Sequence, residues 1–474
     1  MKILLINPPY TNFDGIKESG GHMMPLNLAY LASYLRSKME CEIAILDAEV
    51  LGLSYEQIKK SITEKNPDMV GFTCPTPTMN HVFKIAEIIK KEINQKCVVV
   101  VGGIHPTAMP EETIKNNYID FEVIGEGEIT FYELVKAISE KRQNFEEIKG
   151  LCFKRDGQTI ATPPRPLIAD LDDLPFPARD LFQLEIYYQA PTKKVSNEKA
   201  GPILTSRGCA FNCIHCLSQK MWGRNPRFRS TANVIAEIEE CLNKYGIKEF
   251  NVFDDTFTLN ETRAMEICDE IINRKLNISW VSLSRVNTLT ERLLQKMKAA
   301  GCKKISFGLE SGSQKVLDII KKQATLAMAQ KTVNMVYQAG LTVHASFMLG
   351  NIGETEKTIR ETISFAKNLP LDNVTFFITS PYPGTELYEM AKNEGLINDK
   401  TDWEKFAPLT KTPPIVVQKN ISAERLVYWQ KRAFREFYLR PKYIFHKIKQ
   451  LRSIGSIKAI IEGFRVFIRI LQKQ

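Results

Sequence analysis

Two successive runs of short apolar strands alternating with amphipathic helices constrain this chain more than any other feature of its sequence. The first run fills residues 1–147 and contains continuous apolar segments such as Val98-Val99-Val100-Val101. Strands of this kind are buried on both faces, as in a parallel sheet that helices cover on each side. The first run therefore predicts an α/β domain with a doubly wound, Rossmann-like or flavodoxin-like sheet. Its predicted strands are 2–7, 42–47, 69–73, 97–101 and 121–124, and its predicted helices are 26–39, 55–65, 79–94 and 130–141.

The second run begins after a connector and predicts a different parallel fold. Residues 148–200 are expected to form this connector, with a hairpin at 150–163 and a linker rich in proline and aspartate after it. Residues 201–395 then alternate between strands and helices, with fewer strands than the eight of a closed barrel. We therefore predict a partial (βα)6 barrel, followed by a helical, basic C-terminal region over residues 396–474. The predicted barrel strands are 203–205, 249–253, 279–284, 304–307, 342–348 and 373–378.

Composition excludes several classes of protein. The 474 residues are 44% hydrophobic and 25% charged, which is ordinary for a globular chain and excludes a disordered or collagen-like one. The ten cysteines are too dilute for a disulfide framework, and no apolar run reaches the ~18 residues that a membrane span needs. No signal peptide precedes the first predicted strand, so we expect a cytoplasmic, reducing compartment.

The basic character of the chain is concentrated at its C-terminus. The net charge is +10, and residues 425–474 hold 13 Lys and Arg against 2 Asp and Glu. Apolar residues from 457 to 471 recur at helical spacing with basic residues opposite them. Such a helix predicts either peripheral contact with an anionic membrane surface, at the inner membrane, or docking on the barrel. Nucleic acid is not an expected partner, because no RNA-binding module accompanies the charge.

Three cysteines in one loop give the strongest chemical signal. Cys209, Cys213 and Cys216 are spaced C-x3-C-x2-C directly after the first predicted barrel strand. Three thiolates on such a loop can ligate three irons of one [4Fe–4S] cluster and leave the fourth iron open. A zinc knuckle and buried structural thiols are the alternatives. Zinc would need a fourth ligand, and His215, between two of the thiols, is poorly placed to complete the tetrahedron.

This motif at the start of a partial barrel resembles the radical S-adenosylmethionine (SAM) superfamily, over residues 201–392. The resemblance implies that the open iron binds SAM, whose reductive cleavage gives a 5′-deoxyadenosyl radical. The cysteines are then the catalytic and metal-binding residues, and the ends of later strands contact SAM. The residues alone leave other roles open for these candidates. Asp254 and Asp255 could cap a helix, and Glu310 could pair with a lysine. Arg285 could lie on the surface, and Gly350 and Gly353 could form a turn. The implied SAM contacts are His215 (where the family usually has an aromatic residue), Asp254, Asp255, Arg285, Glu310, Ser311, Gly350 and Gly353.

The first domain resembles the cobalamin-binding domain that precedes the barrel in one branch of this superfamily. The likeness rests on residues 25–31 and on loops of small residues at the predicted strand ends, which would admit a flat corrin with its nucleotide tail in a cavity behind. The D-x-H-x-x-G motif, whose histidine ligates cobalt, is absent. Either no histidine lies below the cobalt or the domain binds no corrin, and His105 is expected to contact a loop or the tail. The implied cobalamin contacts are Asn7, Pro8, Pro9, Thr73, Cys74, Thr76, Gly102, Gly103, His105, Gly125, Glu126 and Gly127.

The resemblance also implies a function. The branch includes the anaerobic magnesium-protoporphyrin IX monomethyl ester cyclases and enzymes that tailor hopanoids and other lipids. It implies a radical enzyme that moves a methyl group from methylcobalamin to an unactivated carbon of a lipid-like or secondary-metabolite substrate. The alternatives are an oxidative cyclase or carbon–carbon bond-forming enzyme without methyl transfer, and a non-catalytic corrinoid or iron–sulfur protein for binding or electron transfer. Flavodoxin or ferredoxin is the expected electron donor.

Overall fold

A computed structural model of the chain describes residues 1–10, 21–190, 194–398, 402–407, 414–441 and 443–445. The strands are β1 (Lys2–Asn7), β2 (Gly21–His22), β3 (Glu42–Asp47), β4 (Met69–Thr73), β5 (Val98–Gly102), β6 (Phe121–Val123), β7 (Leu151–Arg155), β8 (Gln158–Ala161), β9 (Tyr188–Gln189), β10 (Ala200–Ile203), β11 (Ser206–Arg207), β12 (Arg227–Phe228), β13 (Glu249–Val252), β14 (Ser279–Ser284), β15 (Cys302–Glu310), β16 (Thr342–Leu349) and β17 (Asn373–Ile378). The helices are α1 (Leu26–Lys38), α2 (Ala48–Leu51), α3 (Tyr55–Lys65), α4 (Met79–Ile88), α5 (Ile104–Ala108), α6 (Pro110–Thr113), α7 (Gly127–Ser139), α8 (Ser218–Trp222), α9 (Thr231–Tyr245), α10 (Glu261–Asn273), α11 (Glu291–Ala299), α12 (Gln314–Ile319), α13 (Leu326–Gln338), α14 (Glu356–Asn368), α15 (Glu386–Asn393) and α16 (Ala423–Tyr438).

The first sheet has the strand order β3-β1-β4-β5-β6-β7-β8. Its first five strands are parallel, which is the flavodoxin-like order with a switch point between β1 and β4. Helices α1 and α7 pack on one face, and α3 and α4 pack on the other. The doubly wound prediction is confirmed. The hairpin β7–β8 pairs antiparallel with β6, so this sheet continues past residue 147 into the segment described above as a connector.

The second sheet is the predicted partial barrel. Six strands lie in sequential order, β10-β13-β14-β15-β16-β17, and all neighbours are parallel. Along β16 the residues Val343, Ala345 and Phe347 are buried in the core beneath the helices. The alternate residues, His344 and Ser346, are only half-buried and face the inside of the barrel. A closed barrel fills this space with side chains, whereas here it stays accessible.

Helix α16 covers the outer edge of β17. The hydroxyl of Tyr438 accepts a hydrogen bond from the Val374 amide at 2.9 Å and donates one to the Val374 carbonyl at 2.7 Å. The amide of Gln430 donates to the Phe376 carbonyl at 2.8 Å. Side chains of α16 thus satisfy backbone groups that a further strand would otherwise pair, which protects the sheet edge.

No described helix is both long and apolar enough to cross a membrane. The apolar stripe predicted from 457 to 471 lies outside the described residues. Its two predicted roles, contact with a membrane surface and docking on the barrel, stay predictions.

Candidate functional site

A cavity of about 490 Å³ lies where the carboxyl edge of the first sheet meets the barrel. The mid-strand residues Leu5, Gly71 and Val100 line its deeper part, so the cavity continues behind the sheet edge under α1 and α7. A flat group at the edge with a tail in the deeper part fits this shape. The barrel contributes to the same cavity through Leu204, Arg207, Met221, Trp222 and Phe253.

Glycines shape the edge of the cavity. Gly103 has φ +100 and Gly125 has φ +79, a backbone conformation that residues with side chains rarely adopt. A Cβ atom on Gly103 would also lie 3.3 Å from the amide nitrogen of Cys74, whereas one on Gly125 would meet nothing within 4 Å. The positive φ values therefore favour glycine at both positions. Below, the edge formed by Gly102, Gly103, Gly125, Glu126 and Gly127 is called the rim.

The predicted cobalamin contacts divide into two groups. One group lines the cavity: Thr73, Gly102, Gly103, Gly125, Glu126 and Gly127. The other is absent from its lining: Asn7, Pro8, Pro9, Cys74, Thr76 and His105. The side chain of Asn7 instead donates a hydrogen bond to Asp47 at 2.8 Å, and Cys74 is fully buried in the core.

His105 is buried away from the cavity. Its Nδ1 lies 3.2 Å from the hydroxyl of Thr76, and its ring meets the edge of Trp403 with centroids 4.7 Å apart. Burial lowers the pKa of His105 to about 4, so the imidazole is neutral. His105 thus packs against Thr76 of the first domain and against Trp403.

Sequence reasoning did not single out Asn27, Trp222 or Phe253, although all of them line the cavity. The amide of Asn27 donates to the hydroxyl of Thr73 at 2.5 Å. Residues 25–31 gave a usable signal for Asn27, because this segment carried the likeness to cobalamin-binding domains. Trp222 gave none, and Phe253 stood out only as the end of the predicted strand 249–253, because both reach the cavity only through the docking of the barrel on the first domain.

Two aspartates hold the cysteine loop at both ends. Asp254 accepts hydrogen bonds from the backbone amides of Thr205 and Ser206, at 2.6 and 3.1 Å, just before the loop. Asp255 accepts from the Gly208 amide at 3.2 Å and from the Ser218 hydroxyl at 2.7 Å, which lie on either side of the cysteines. Burial raises the pKa of Asp255, and the neighbouring Asp254 adds to this effect. Neither aspartate caps α10, which Asn260 caps instead.

The three thiols differ in exposure. Cys209 and Cys213 are buried, at 9% and 8% exposure, whereas Cys216 is exposed. Among the described residues, no three His, Cys, Asp or Glu side chains are placed to hold a metal ion together. A zinc ion needs its ligands around one point. Thiolates that each ligate a different iron of a cluster do not need to converge in this way.

Arg285 and a buried ion pair lie beside the cysteine loop. The guanidinium of Arg285 donates to the Sγ atom of Cys213 at 3.4 Å, covers the ring of Phe211 at 3.7 Å and also donates to the backbone of Lys322. Arg285 is therefore buried and not a surface residue. The ammonium of Lys322 lies 2.8 Å from the carboxylate of Glu310. Burial opposes the charged carboxylate, but Lys322 lowers the pKa of Glu310 on balance.

Glu310 also has an unusual backbone. Its φ is +62, and the register between β15 and β16 shifts between Gly308 and Glu310. A bulge of this kind redirects a side chain, and strained residues cluster at functional sites. His215 is close enough to feel the charges of Glu310 and Lys322, and burial lowers its pKa. The structure thus brings His215, Arg285 and Glu310 together around the loop.

The glycine segment after β16 is packed from both sides. A Cβ atom on Gly350 would lie 2.7 Å from Leu426, and one on Gly353 would lie 2.6 Å from Ile319. Both glycines have positive φ, so the turn considered from the sequence is present. Ser311, at the end of β15, shares a hydrogen bond with the hydroxyl of Thr362 at 3.1 Å.

Glu354 was not foreseen as a buried acid of this turn. Its carboxylate accepts from the amides of Gly350 and Asn351, and burial raises its pKa to about 8. The sequence held a weak signal, since a glutamate directly follows the last glycine of the segment. Glu354 fixes the turn through these backbone amides.

The inside of the barrel has an apolar mouth and a polar interior. Toward the carboxyl ends of the strands, the inward positions hold Leu283, which is 42% exposed, Met348 and Phe377. Deeper positions hold polar side chains, and Nε2 of His344 lies 3.0 Å from the hydroxyl of Thr375. The inward face of the barrel therefore presents apolar side chains toward the carboxyl ends of the strands and hydrogen-bonding groups deeper inside.

Comparison with known proteins matches both halves of the chain. A family model described as the B12 binding domain matches residues 14–135, and one described as the Radical SAM superfamily matches residues 203–366. An uncharacterized methyltransferase of Pyrococcus horikoshii is 39% identical over 98% of this chain and 99% of its own. The anaerobic magnesium-protoporphyrin IX monomethyl ester cyclase of Rubrivivax gelatinosus is 29% identical over 98% of this chain and 83% of its own.

A solved structure shares the two-domain fold over most of this chain. The radical SAM methyltransferase TsrM from Kitasatospora setae, solved with cobalamin and a [4Fe–4S] cluster bound, superposes with a TM-score of 0.67 at 22% identity. The match covers 83% of this chain and 75% of TsrM. At this identity the likeness establishes the fold, a parallel α/β domain followed by the barrel.

Proposed function

The chain belongs to the radical SAM superfamily, in the branch whose members carry a B12-binding domain, and we propose that it methylates an unactivated carbon of a small molecule. The observation that carries this proposal is the shared cavity. Its lining combines the rim of the first domain with Arg207, Trp222 and Phe253, which come from the segments that surround the cysteine loop. A methyl donor held at the rim would therefore face the part of the barrel where a substrate radical forms.

The residues present fit the cofactors that such a reaction needs. When bound, the cluster supplies an electron for the cleavage of SAM to the radical that abstracts hydrogen, and cobalamin supplies the methyl group. Cys209, Cys213 and Cys216 would hold the cluster. Arg285 would stabilise the Cys213 thiolate through its hydrogen bond.

We assign the remaining residues to positioning. Asp254 and Asp255 fix the cysteine loop, and the pair of Glu310 and Lys322 forms a buried wall beside it. Gly350 and Gly353 hold the turn after β16, where the adenine of SAM would lie. For cobalamin, the glycine rim would take the corrin and the deeper cavity the nucleotide tail.

The substrate would enter the inside of the barrel. The apolar mouth, formed by Leu283, Met348 and Phe377, supports a substrate whose reacting carbon lies in an apolar part, as in a lipid-like molecule or a secondary metabolite. His344 and Thr375 would bind a polar group deeper inside. Excluding water around the reacting carbon would protect the radical from side reactions.

A second candidate function is oxidative cyclisation without methyl transfer. It is favoured by the match with the Rubrivivax cyclase, which extends over 98% of this chain. Both candidates begin with the same hydrogen abstraction, so the cysteine loop serves either one. They differ in whether a methyl group reaches the substrate.

One anaerobic experiment separates the two candidates. The reconstituted enzyme is incubated with SAM bearing a deuterated methyl group, hydroxocobalamin, a reductant and magnesium-protoporphyrin IX monomethyl ester, followed by a panel of lipids. We expect 5′-deoxyadenosine and a product that carries the deuterated methyl group. An oxidised product without deuterium would support the cyclase instead. If no 5′-deoxyadenosine forms with any compound or without one, the radical reaction itself is refuted.

We also propose that flavodoxin or ferredoxin delivers the electron. The exposure of Cys216 supports this, because a cluster held there would come close to the surface. Replacing the chemical reductant by reduced flavodoxin should sustain 5′-deoxyadenosine formation. Failure with both flavodoxin and ferredoxin, while dithionite works, would refute this partner.

A further inference from the structure

Arg207 connects the cysteine loop to the wall of the cavity. It lies on β11, two positions before Cys209, yet its guanidinium leaves the barrel and enters the first domain. It donates to Glu126 at 2.7 Å and to Glu128 at 2.6 Å. Arg207 and Glu126 are each 3% exposed and Glu128 is 7% exposed, so solvent does not screen these ion pairs.

Two aromatic rings hold the guanidinium in place. It lies 4.9 Å from the ring centroid of Trp222 and 5.5 Å from that of Tyr30. Trp222 belongs to the barrel and Tyr30 to the first domain, and both rings line the cavity. Cation–π contacts and two charge-assisted hydrogen bonds therefore leave Arg207 little freedom to move independently of either domain.

The carboxylate of Glu126 collects further contacts. It accepts from the guanidinium of Arg227 at 2.8 Å and from the backbone amide of Ile168 at 2.7 Å. Glu126 lies between Gly125 and Gly127 on the cavity rim, directly before α7. The position of this rim segment is thus set by the barrel as well as by the first domain.

The backbone between Arg207 and Cys209 is equally constrained. The Ser206 amide is bound by Asp254 and the Gly208 amide by Asp255. Gly208 has φ +97, a backbone conformation that residues with side chains rarely adopt. Because the amides on both sides of Arg207 are held by aspartates, we expect a displacement of the Arg207 side chain from the rim to shift the first cysteine as well.

We propose that Arg207 is a positioning residue that couples occupancy of the cavity by a corrin to the geometry of the cluster-binding loop. The inference rests on the proposed function, because it takes the cavity as the corrin site. A bound cluster would fix the conformation of the cysteine loop, and the loop would in turn fix the position of Arg207. Through its ion pair with Glu126, Arg207 would hold this segment of the rim in the position that binds the corrin. A corrin then meets a preorganised rim and binds more tightly. Because coupling is reciprocal, corrin in the cavity stabilises the same loop geometry.

The test measures the affinity of the full-length protein for hydroxocobalamin with and without the reconstituted cluster. Binding is followed anaerobically by the absorbance of the corrin, which is independent of turnover. We expect the cluster to tighten binding about 5-fold or more in the wild type, the lower end of typical coupling. Glu128→Gln weakens one of the two ion pairs of Arg207 and leaves the contacts of Glu126 with Arg227 in place. In this variant, the ratio of the affinities with and without the cluster should fall below about 2-fold. Arg207→Lys, which keeps the charge but loses the two-pronged geometry, should behave in the same way.

Arg179→Lys is the matched control. Arg179 is as buried as Arg207 and pairs with Glu237, but it lies outside the cavity lining. This variant should keep the wild-type ratio.

The outcomes are distinguishable. A wild-type ratio near one overturns the inference, as does a full wild-type ratio in Glu128→Gln. Should Arg207→Lys fail to fold, Glu128→Gln alone decides. Failure of the wild type to bind hydroxocobalamin in either state would refute the corrin site of the proposed function, and with it the basis of the coupling.

Discussion

Arg285 donates a hydrogen bond from Nη1 to the Sγ atom of Cys213 across 3.4 Å, although 72 positions separate the two residues in the chain. The contact joins the end of β14 to the middle of the cysteine loop. Hydrogen bonds to the sulfur ligands of a cluster raise its reduction potential, because they stabilise the extra negative charge of the reduced state.

Arg285→Leu should therefore lower the reduction potential of the cluster. A charge-assisted hydrogen bond contributes about 1.5–3 kcal/mol. Since ~1.4 kcal/mol corresponds to about 60 mV for one electron, we expect a decrease on the order of 65–130 mV. A redox titration followed by electron paramagnetic resonance measures it. Arg274→Leu, which removes an exposed ion pair with Glu270, is the control, and equal potentials in both variants would contradict the assignment.

Cys213→Ala should abolish cluster assembly. Removing one of three thiolates leaves an iron without its protein ligand, so iron per chain and 5′-deoxyadenosine formation should both collapse. Cys302→Ala is the matched control, because Cys302 is also buried but lies in the hydrophobic core of the barrel. We expect this control to keep its iron, and comparable iron in both variants would show that Cys213 is not a ligand.

Glu122 should make the protein less stable as the pH rises. This glutamate lies on β6 opposite Cys152 and is fully buried, and burial raises its pKa to about 9. Between the unfolded pKa of ~4.3 and about 9, the folded state keeps a proton that the unfolded state has lost, so stability falls with increasing pH.

Glu122→Gln removes this dependence. The variant should gain stability relative to the wild type between pH 5 and 8.5, by up to a few kcal/mol, because each pKa unit of difference corresponds to ~1.4 kcal/mol. Urea unfolding of both proteins at several pH values measures the difference. A difference that stays constant across this range would mean that Glu122 ionises normally in the folded state.

Tyr438→Phe should destabilise the barrel edge. The hydroxyl makes hydrogen bonds with both backbone groups of Val374, and its loss leaves them unsatisfied, at a cost of about 1–3 kcal/mol. Tyr428→Phe, on the exposed side of the same helix, should change the free energy of unfolding by less than about 0.5 kcal/mol. Equal effects of the two substitutions in urea unfolding would argue against edge protection by α16.

Removing residues 456–474 should leave iron binding and SAM cleavage intact and weaken the association with anionic vesicles. Basic residues near an anionic leaflet contribute about 1 kcal/mol each, and this contribution falls with salt. Sedimentation with vesicles at low and high salt measures it. Insoluble truncated protein, together with no vesicle binding by the full chain, would show that the segment packs on the barrel instead.

The sequence predicts features that arise from patterns within one segment of the chain better than features that arise from contacts between distant segments. The cysteine spacing and the apolar strands are local patterns, and they were sufficient for the partial barrel and the doubly wound domain. The bond between Arg207 and Glu126 spans 81 positions and depends on how two domains dock, which no local pattern encodes. For His105, a local pattern pointed to a contact that the structure does not show. A histidine in a glycine-rich loop suggests a ligand contact, but its packing against Trp403 comes from a distant segment.

The hydrogen bonds that Asp254 and Asp255 make at the two ends of the cysteine loop have a consequence for how the protein acquires its cluster. Because these hydrogen bonds order both ends of the loop, we expect the chain to fold before iron is inserted, and the cluster then fixes the middle of the loop, where the cysteines lie. Small zinc domains differ, since their binding residues become ordered only with the metal. We therefore expect cluster insertion to follow synthesis and folding, with the exposed Cys216 accessible to a carrier. Damage by oxygen would then leave an intact apoprotein ready for repair in place.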